Sequence, residues 1–195
     1  MGEIKSAFEK AMERVGGIGE PSKEEKLQWK YVPEGQKLAA AYLKEDTNLL
    51  NELGKFKDEE RRFVTRGLEE VLLRNITLPL NESAKKSNKK AMDAIKTIKK
   101  DKAALENIYT KMRRVFDHHA QQGEQQRKQA YEMLKQEFQL RMQQAMQQQG
   151  LPPGTKINVE SQPQFQDEWR RTVAHLDGQY STLLEEYRRE IEAIR

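Results

Sequence analysis

The chain has 195 residues, of which 36% are apolar and 34% charged, with a formal net charge of +4 and no cysteine. That length allows one or two small domains, but the low apolar fraction means burial must come from narrow stripes and not from a large core. Disulfides and thiolate metal sites are excluded, no run approaches the ~18 apolar residues of a membrane span, and the charged start reads as no signal peptide.

In chain order, the first predicted element is an amphipathic helix over about residues 3–15, with Ile4, Phe8, Ala11 and Val15 on one stripe. Its start, Met1-Gly2-Glu3-Ile4-Lys5-Ser6, also fits the N-myristoylation pattern, which the amphipathic reading makes unnecessary. Gly16-Gly17-Ile18-Gly19 stops that helix, and Ser22 with Glu25 forms a capping box for the next. Pro33 in "KYVPEG" is expected to break this second helix, with Leu38, Ala39, Tyr42 and Leu43 restarting helical spacing. A longer helix follows over about 57–76, with Phe63, Val64, Gly67, Leu68, Val71 and Leu72 on its buried side. "NITLPLN" ends it, and the two glycosylation sequons there, at Asn75 and Asn81, read as turn and cap residues.

From Glu82 to Gln149 there is no proline, and a three-four spacing runs from Ala84 through Asn88, Ala91, Ile95, Ile98, Lys102, Leu105, Tyr109, Met112 and Phe116 to Phe138 and Met142. Read as one spine helix it would be about 100 Å long. "GLPPGTKINVESQP" turns the chain over 150–162, and Ser161 with Gln164 is expected to cap a last helix over about 163–195. Phe165, Trp169, Val173, Leu176, Tyr180, Leu183 or Leu184, Tyr187, Ile191 and Ile194 form its stripe. Setting Gln149 opposite Pro163 places His175 opposite about residue 137 and lets Arg195 reach only Asp117. Residues 103–116 would then be covered by the N-terminal helices or by another chain. The predicted fold is therefore all-α: an elongated helical bundle or coiled-coil hairpin on one spine, with shorter helices over 1–80 and the hairpin over 81–195. At most a short extended piece is expected at Lys156–Val159.

Two stretches could carry function. In "VFDHHAQQGEQQRKQ", His119, Gly123 and Gln126 fall on successive seam positions. Three such layers cannot pack like leucine, but polar seam layers fix register and partner number. Adjacent His118 and His119 point about 100° apart, and His175 would lie roughly 27 Å from His119, so no intramolecular metal site is expected. A pH-sensitive seam is the functional alternative.

The second stretch is "AKKSNKKAMDAIKTIKK". With Ile95 at the centre of the buried side, Lys85, Lys86, Lys89, Lys90, Lys96 and Lys100 fall within about 140° on the other side. Residues 81–117 hold eleven Lys/Arg against five Asp/Glu. The stripe is a solvated face or a contact for an anionic partner. It could follow a phosphate backbone, but no arginine or aromatic residue interleaves it to read bases. Twelve glutamines between Gln121 and Gln149 alternate with Phe138, Met142, Ala145 and Met146 at helical spacing, which argues for helix and against disorder.

No P-loop, Gly-x-Ser-x-Gly or His-Glu-x-x-His motif is present, so neither catalytic residues nor a cofactor is expected. The stretches "MGEIKSAFEKAME", "WKYVPEG" and "QPQFQDEW" resemble a family of small uncharacterised bacterial proteins over most of the length. The resemblance implies a bacterial, cytoplasmic protein and supplies no activity. The expected function is that of a non-enzymatic coiled-coil interaction protein, a scaffold, adaptor or assembly factor that binds a protein partner or itself. The alternative is an RNA- or ribosome-associated factor using the lysine stripe.

Overall fold

The computed structural model describes residues 21–45, 47–148 and 158–194, and among these every regular element is helical. The expected all-α class holds. The expected helix over 3–15, its Gly16–Gly19 stop and the myristoylation pattern lie outside the described residues. The chain divides into two compact units, residues 1–71 and 72–195.

The first unit holds α1 (Lys23–Lys44), α2 (Leu49–Gly54) and most of α3 (Asp58–Arg74). Ser22 starts α1 as predicted. Its Oγ accepts from the Glu25 amide at 3.2 Å while the Glu25 carboxylate accepts from the Ser22 amide at 2.8 Å. The Ser22 amide first, and the Ser22 hydroxyl after it, hold the Glu25 carboxyl below the usual carboxylate range.

Pro33 does not break α1, against expectation. It lies on the exposed face, where water can take the bond that the Trp29 carbonyl loses. The opposite face is fixed on both sides of the proline. A Cβ on Gly35 would sit 1.9 Å from the Val64 carbonyl oxygen, and one on Gly67 would sit 2.1 Å from the Val32 carbonyl oxygen. The backbones of α1 and α3 therefore touch through two glycines, and this packing overrides the local cost of the proline. Ala39, Leu53, Phe63, Val64 and Leu68 are buried around the crossing. Arg61 closes the end of α2, donating from Nε to the Leu53 carbonyl at 3.0 Å and from Nη2 to the Phe56 carbonyl at 2.9 Å.

The second unit holds α4 (Glu82–Ile98), α5 (Lys102–His118), a π-helical turn (His119–Gly123), α6 (Glu124–Gln148), a 3-10 turn (Val159–Ser161) and α7 (Pro163–Ala193). The single spine over 82–149 is thus corrected: it breaks at residues 99–101. Lysines and an aspartate make the break without proline or glycine. Lys99 takes an extended backbone and buries its side chain, donating from Nζ to the Ile194 carbonyl at 2.6 Å at the end of α7. Lys102 Nζ donates to the carbonyls of Lys99 and Lys96, closing the end of α4. Asp101 then caps α5 by accepting from the Ala104 amide at 2.9 Å. Lys102, expected on the seam, is exposed.

The α7 register also differs from the prediction. Lys111 pairs with Glu190 at 3.1 Å, Tyr131 meets the Trp169 ring at 5.0 Å, and Lys135 pairs with Glu160 at 2.6 Å. Val159 and Phe165 pack on Phe138, so the chain rejoins α6 well before its end, and the last turns of α6 run past the start of α7. Three edge-on aromatic contacts at 5.0–5.5 Å, joining Tyr131, Phe138, Phe165 and Trp169, set this register. As a result α7 reaches Lys99 and not merely Asp117, and it covers the stretch expected to be left for other chains.

Ser161 does not cap α7. Its Oγ donates to the Asn158 carbonyl at 2.9 Å within the 3-10 turn, and Pro163 opens the helix at its first position, where no amide hydrogen is required. Leu184, not Leu183, faces inward. Leu72, Leu73, Ile76, Ile95, Leu105, Met112, Leu184 and Ile191 are buried in this unit. Asn88 accepts from the Thr77 amide at 2.9 Å and donates to the Thr77 carbonyl at 2.6 Å, which explains a buried asparagine at a seam position. Val159 lies in the 3-10 turn, while Lys156 lies outside the described residues.

Candidate functional site

Breaking the spine folds α4 back against α5, and the pair encloses a groove of about 520 Å³. Asn81 fixes the start of α4 by accepting from the Ala84 amide at 2.8 Å. The buried Tyr109 hydroxyl ties the two helices by donating to the Met92 carbonyl at 2.8 Å. Met92, Tyr109, Phe116, Pro79 and Ala120 supply the groove's apolar surface. Lys85, Lys89, Lys96 and Arg113 supply its cations, and Asp93, Glu106 and Asp117 its acids.

The charges differ in how far they are engaged. Glu106 takes both Arg113, at 2.5 Å, and Lys96, at 3.4 Å. The Arg113 guanidinium is the main cause of a Glu106 carboxyl held below the usual range, so this acid is ionised. Lys85 pairs with Glu82 at 2.7 Å at the first turn of α4 and lowers the Glu82 carboxyl likewise. Of the six stripe lysines, then, Lys85, Lys89 and Lys96 line the groove. Lys86 and Lys100 are exposed outside its lining, and Lys90 is half-buried. Arg113 and Glu106 were not legible as groove residues, because only the break at 99–101 brings α5 beside the stripe.

The polar seam is the second cluster. His119 is 2% exposed and Gly123 is buried, as their spacing predicts, but Gln126 is exposed. The reason is the π-helical turn, whose wider hydrogen bonding holds an extra residue and hands the next inward position to Arg127. Arg127 Nη1 lies 2.8 Å from His119 Nε2 and 2.9 Å from Asp177 Oδ1, and His119 Nε2 lies 3.1 Å from the same oxygen. Because two donors do not meet at 2.8 Å, the arrangement assigns the His119 Nε2 as acceptor from Arg127, with the imidazole proton on Nδ1. Tyr180 stands edge-on to His119 at 5.0 Å, and its hydroxyl lies 2.9 Å from His118 Nδ1.

Gly123 provides the room. A Cβ there would stand 3.2 Å from Arg127 Nη1 and 3.4 Å from His119 Cδ2. His175 is exposed on α7 and takes no part. Among the described residues no group of three or more His, Asp or Glu side chains is placed to hold a metal ion, and no helix is long and apolar enough to cross a membrane. The signal for Asp177 was its place beside Leu176 and Tyr180 on the α7 stripe, but the predicted register set it far from His119.

Residues 50–193 match the model of a family of unknown function, DUF6657. The chain belongs to DUF6657. That span takes in the groove and the histidine cluster entire, together with the "QPQFQDEW" stretch that opens α7. It leaves out Gly35, so the α1 half of the glycine crossing lies beyond it. No curated protein and no solved structure matches the chain.

Proposed function

We propose that the chain is a non-catalytic helical interaction protein of the cytoplasm, a scaffold, adaptor or assembly factor, whose α4–α5 groove receives an acidic amphipathic helix of a protein partner. The observation that carries this reading is an apolar floor of Met92, Tyr109 and Phe116 in one groove with Lys85, Lys89 and Lys96. Its volume, about 520 Å³, falls in the ~300–1,000 Å³ range of ligand pockets and suits a few anchoring side chains. An amphipathic helix would lay its apolar face on the floor while flanking carboxylates meet the lysines. Such pairs steer approach and set orientation more than they add affinity.

A nucleic-acid ligand fits this groove less well. The Met92 and Phe116 floor offers a phosphate backbone nothing to pair with, and Tyr109 is committed to the Met92 carbonyl and cannot freely stack on a base. The cysteine-free composition suits the cytoplasm.

The test is fluorescence anisotropy with a labelled acidic amphipathic helical peptide and with a single-stranded RNA of similar length. Lys85→Glu with Lys89→Glu should weaken peptide binding at least about tenfold, or ~1.4 kcal/mol, and should leave helicity unchanged because both side chains are exposed. Tighter binding of the RNA than of the peptide, lost in the same variant, would establish the nucleic-acid reading in its place.

A further inference from the structure

The side of α6 turned away from α7 is poor in charge. Taking the buried Phe138 as the direction of α7, ten α6 positions fall within about 60° of the opposite direction at 100° per residue. All ten are exposed. Seven are glutamines, two are Met133 and Leu140, and one, Glu132, is charged. In a chain that is 34% charged, a solvated face of this size would carry about three charges. Met133 and Leu140 stand two turns apart at its middle and are 70% and 59% exposed, which a merely solvated face does not require.

We infer that this glutamine face is a dimer interface, on which a second copy of the chain docks through its own α6, antiparallel. The occupant follows from complementarity. A charged partner surface would lose hydration here and find no counter-charge, so the partner face must itself be uncharged, polar and apolar at its centre. This face is one. Each glutamine carboxamide both donates and accepts, so two such faces satisfy one another.

The order of residues matches a twofold axis between Gln136 and Glu137. Antiparallel pairing sets Met133 against Leu140 of the second copy, Gln129 against Gln144, and Gln126 against Gln147, each pair occurring twice. Six of the ten positions thereby meet a residue of their own chemistry on the same face, Glu132 meets Arg141 of the second copy, and the contact closes as a two-chain assembly. Opposed helix dipoles favour the same orientation. The inference is independent of the α4–α5 groove.

The test is sedimentation of the full chain over a concentration series. Wild type should show twice the chain mass at its upper end. Met133→Lys should abolish the dimer, and Met133→Lys with Leu140→Lys should stay monomeric. Met133→Lys with Leu140→Glu should restore it, because the antiparallel register alone places each new lysine beside a new glutamate of the other copy. Circular dichroism confirms that each variant keeps its helicity. A monomeric wild type at every concentration would overturn the inference, as would a dimer that survives the double lysine variant or a Lys/Glu variant that associates no better than Lys/Lys.

Discussion

One Asp177 oxygen accepts from Arg127 beside His119, and the consequences of removing Asp177 and His119 differ. Removing the carboxylate leaves the Arg127 guanidinium, 21% exposed, with only a neutral imidazole to face. Asp177→Ala should therefore cost about 1–3 kcal/mol, reduced from the fully buried case because Asp177 is itself 15% exposed. His119→Leu removes a polar group from a nearly inaccessible site while Arg127 keeps Asp177, so its effect should stay within about 1 kcal/mol of neutral. Urea unfolding of the two variants measures both. Equal losses would mean that the histidine and the carboxylate act as an inseparable pair. At this scale His119 and Gly123 were legible because seam spacing needs only the local helical period. Gln126 was misplaced because one π-helical turn advances every later position, and nothing in "HAQQG" marks it beyond the glycine.

Between helices, two kinds of glycine have to be told apart. Gly35 and Gly67 each stand where a Cβ would enter the partner helix's backbone, at 1.9 and 2.1 Å from a carbonyl oxygen, and backbone cannot move aside as a side chain can. Gly35→Ala or Gly67→Ala should each destabilise the first unit by about 3 kcal/mol or more. Gly123→Ala meets side chains and not backbone, Arg127 Nη1 at 3.2 Å and His119 Cδ2 at 3.4 Å, and the helix-propensity gain of about 1 kcal/mol offsets this milder crowding, leaving it near neutral. Thermal melts followed by circular dichroism distinguish the two classes. Helix existence was legible where local chemistry decides it, and helix limits were not where distant packing does. The capping box at Ser22 is local chemistry, and it held. Pro33 failed as a breaker because a crossing 30 residues away in sequence holds α1 together across it. The break at 99–101 was invisible to a search for proline and glycine, since its agents are lysines capping carbonyls and an aspartate capping amides.

For the molecule as a whole, narrow stripes in a highly charged chain predicted an all-α fold, and the described residues bear this out. The α7 register did not follow from the turn, because the aromatic contacts of Phe138 and Phe165 decide it from within the helices. That register, with the break at 99–101, converts part of a lysine stripe into one side of a groove, and the functional reading depends on the groove. The most direct measurement is photo-cross-linking in cells from position 93, which lines the groove, with position 114, exposed on α5 outside it, as the reference. A photoreactive residue at 93 should give nuclease-resistant adducts to an acidic, amphipathic segment of a protein, and the same residue at 114 should not. Adducts to nucleic acid from 93, or the same protein at equal yield from both positions, would contradict it.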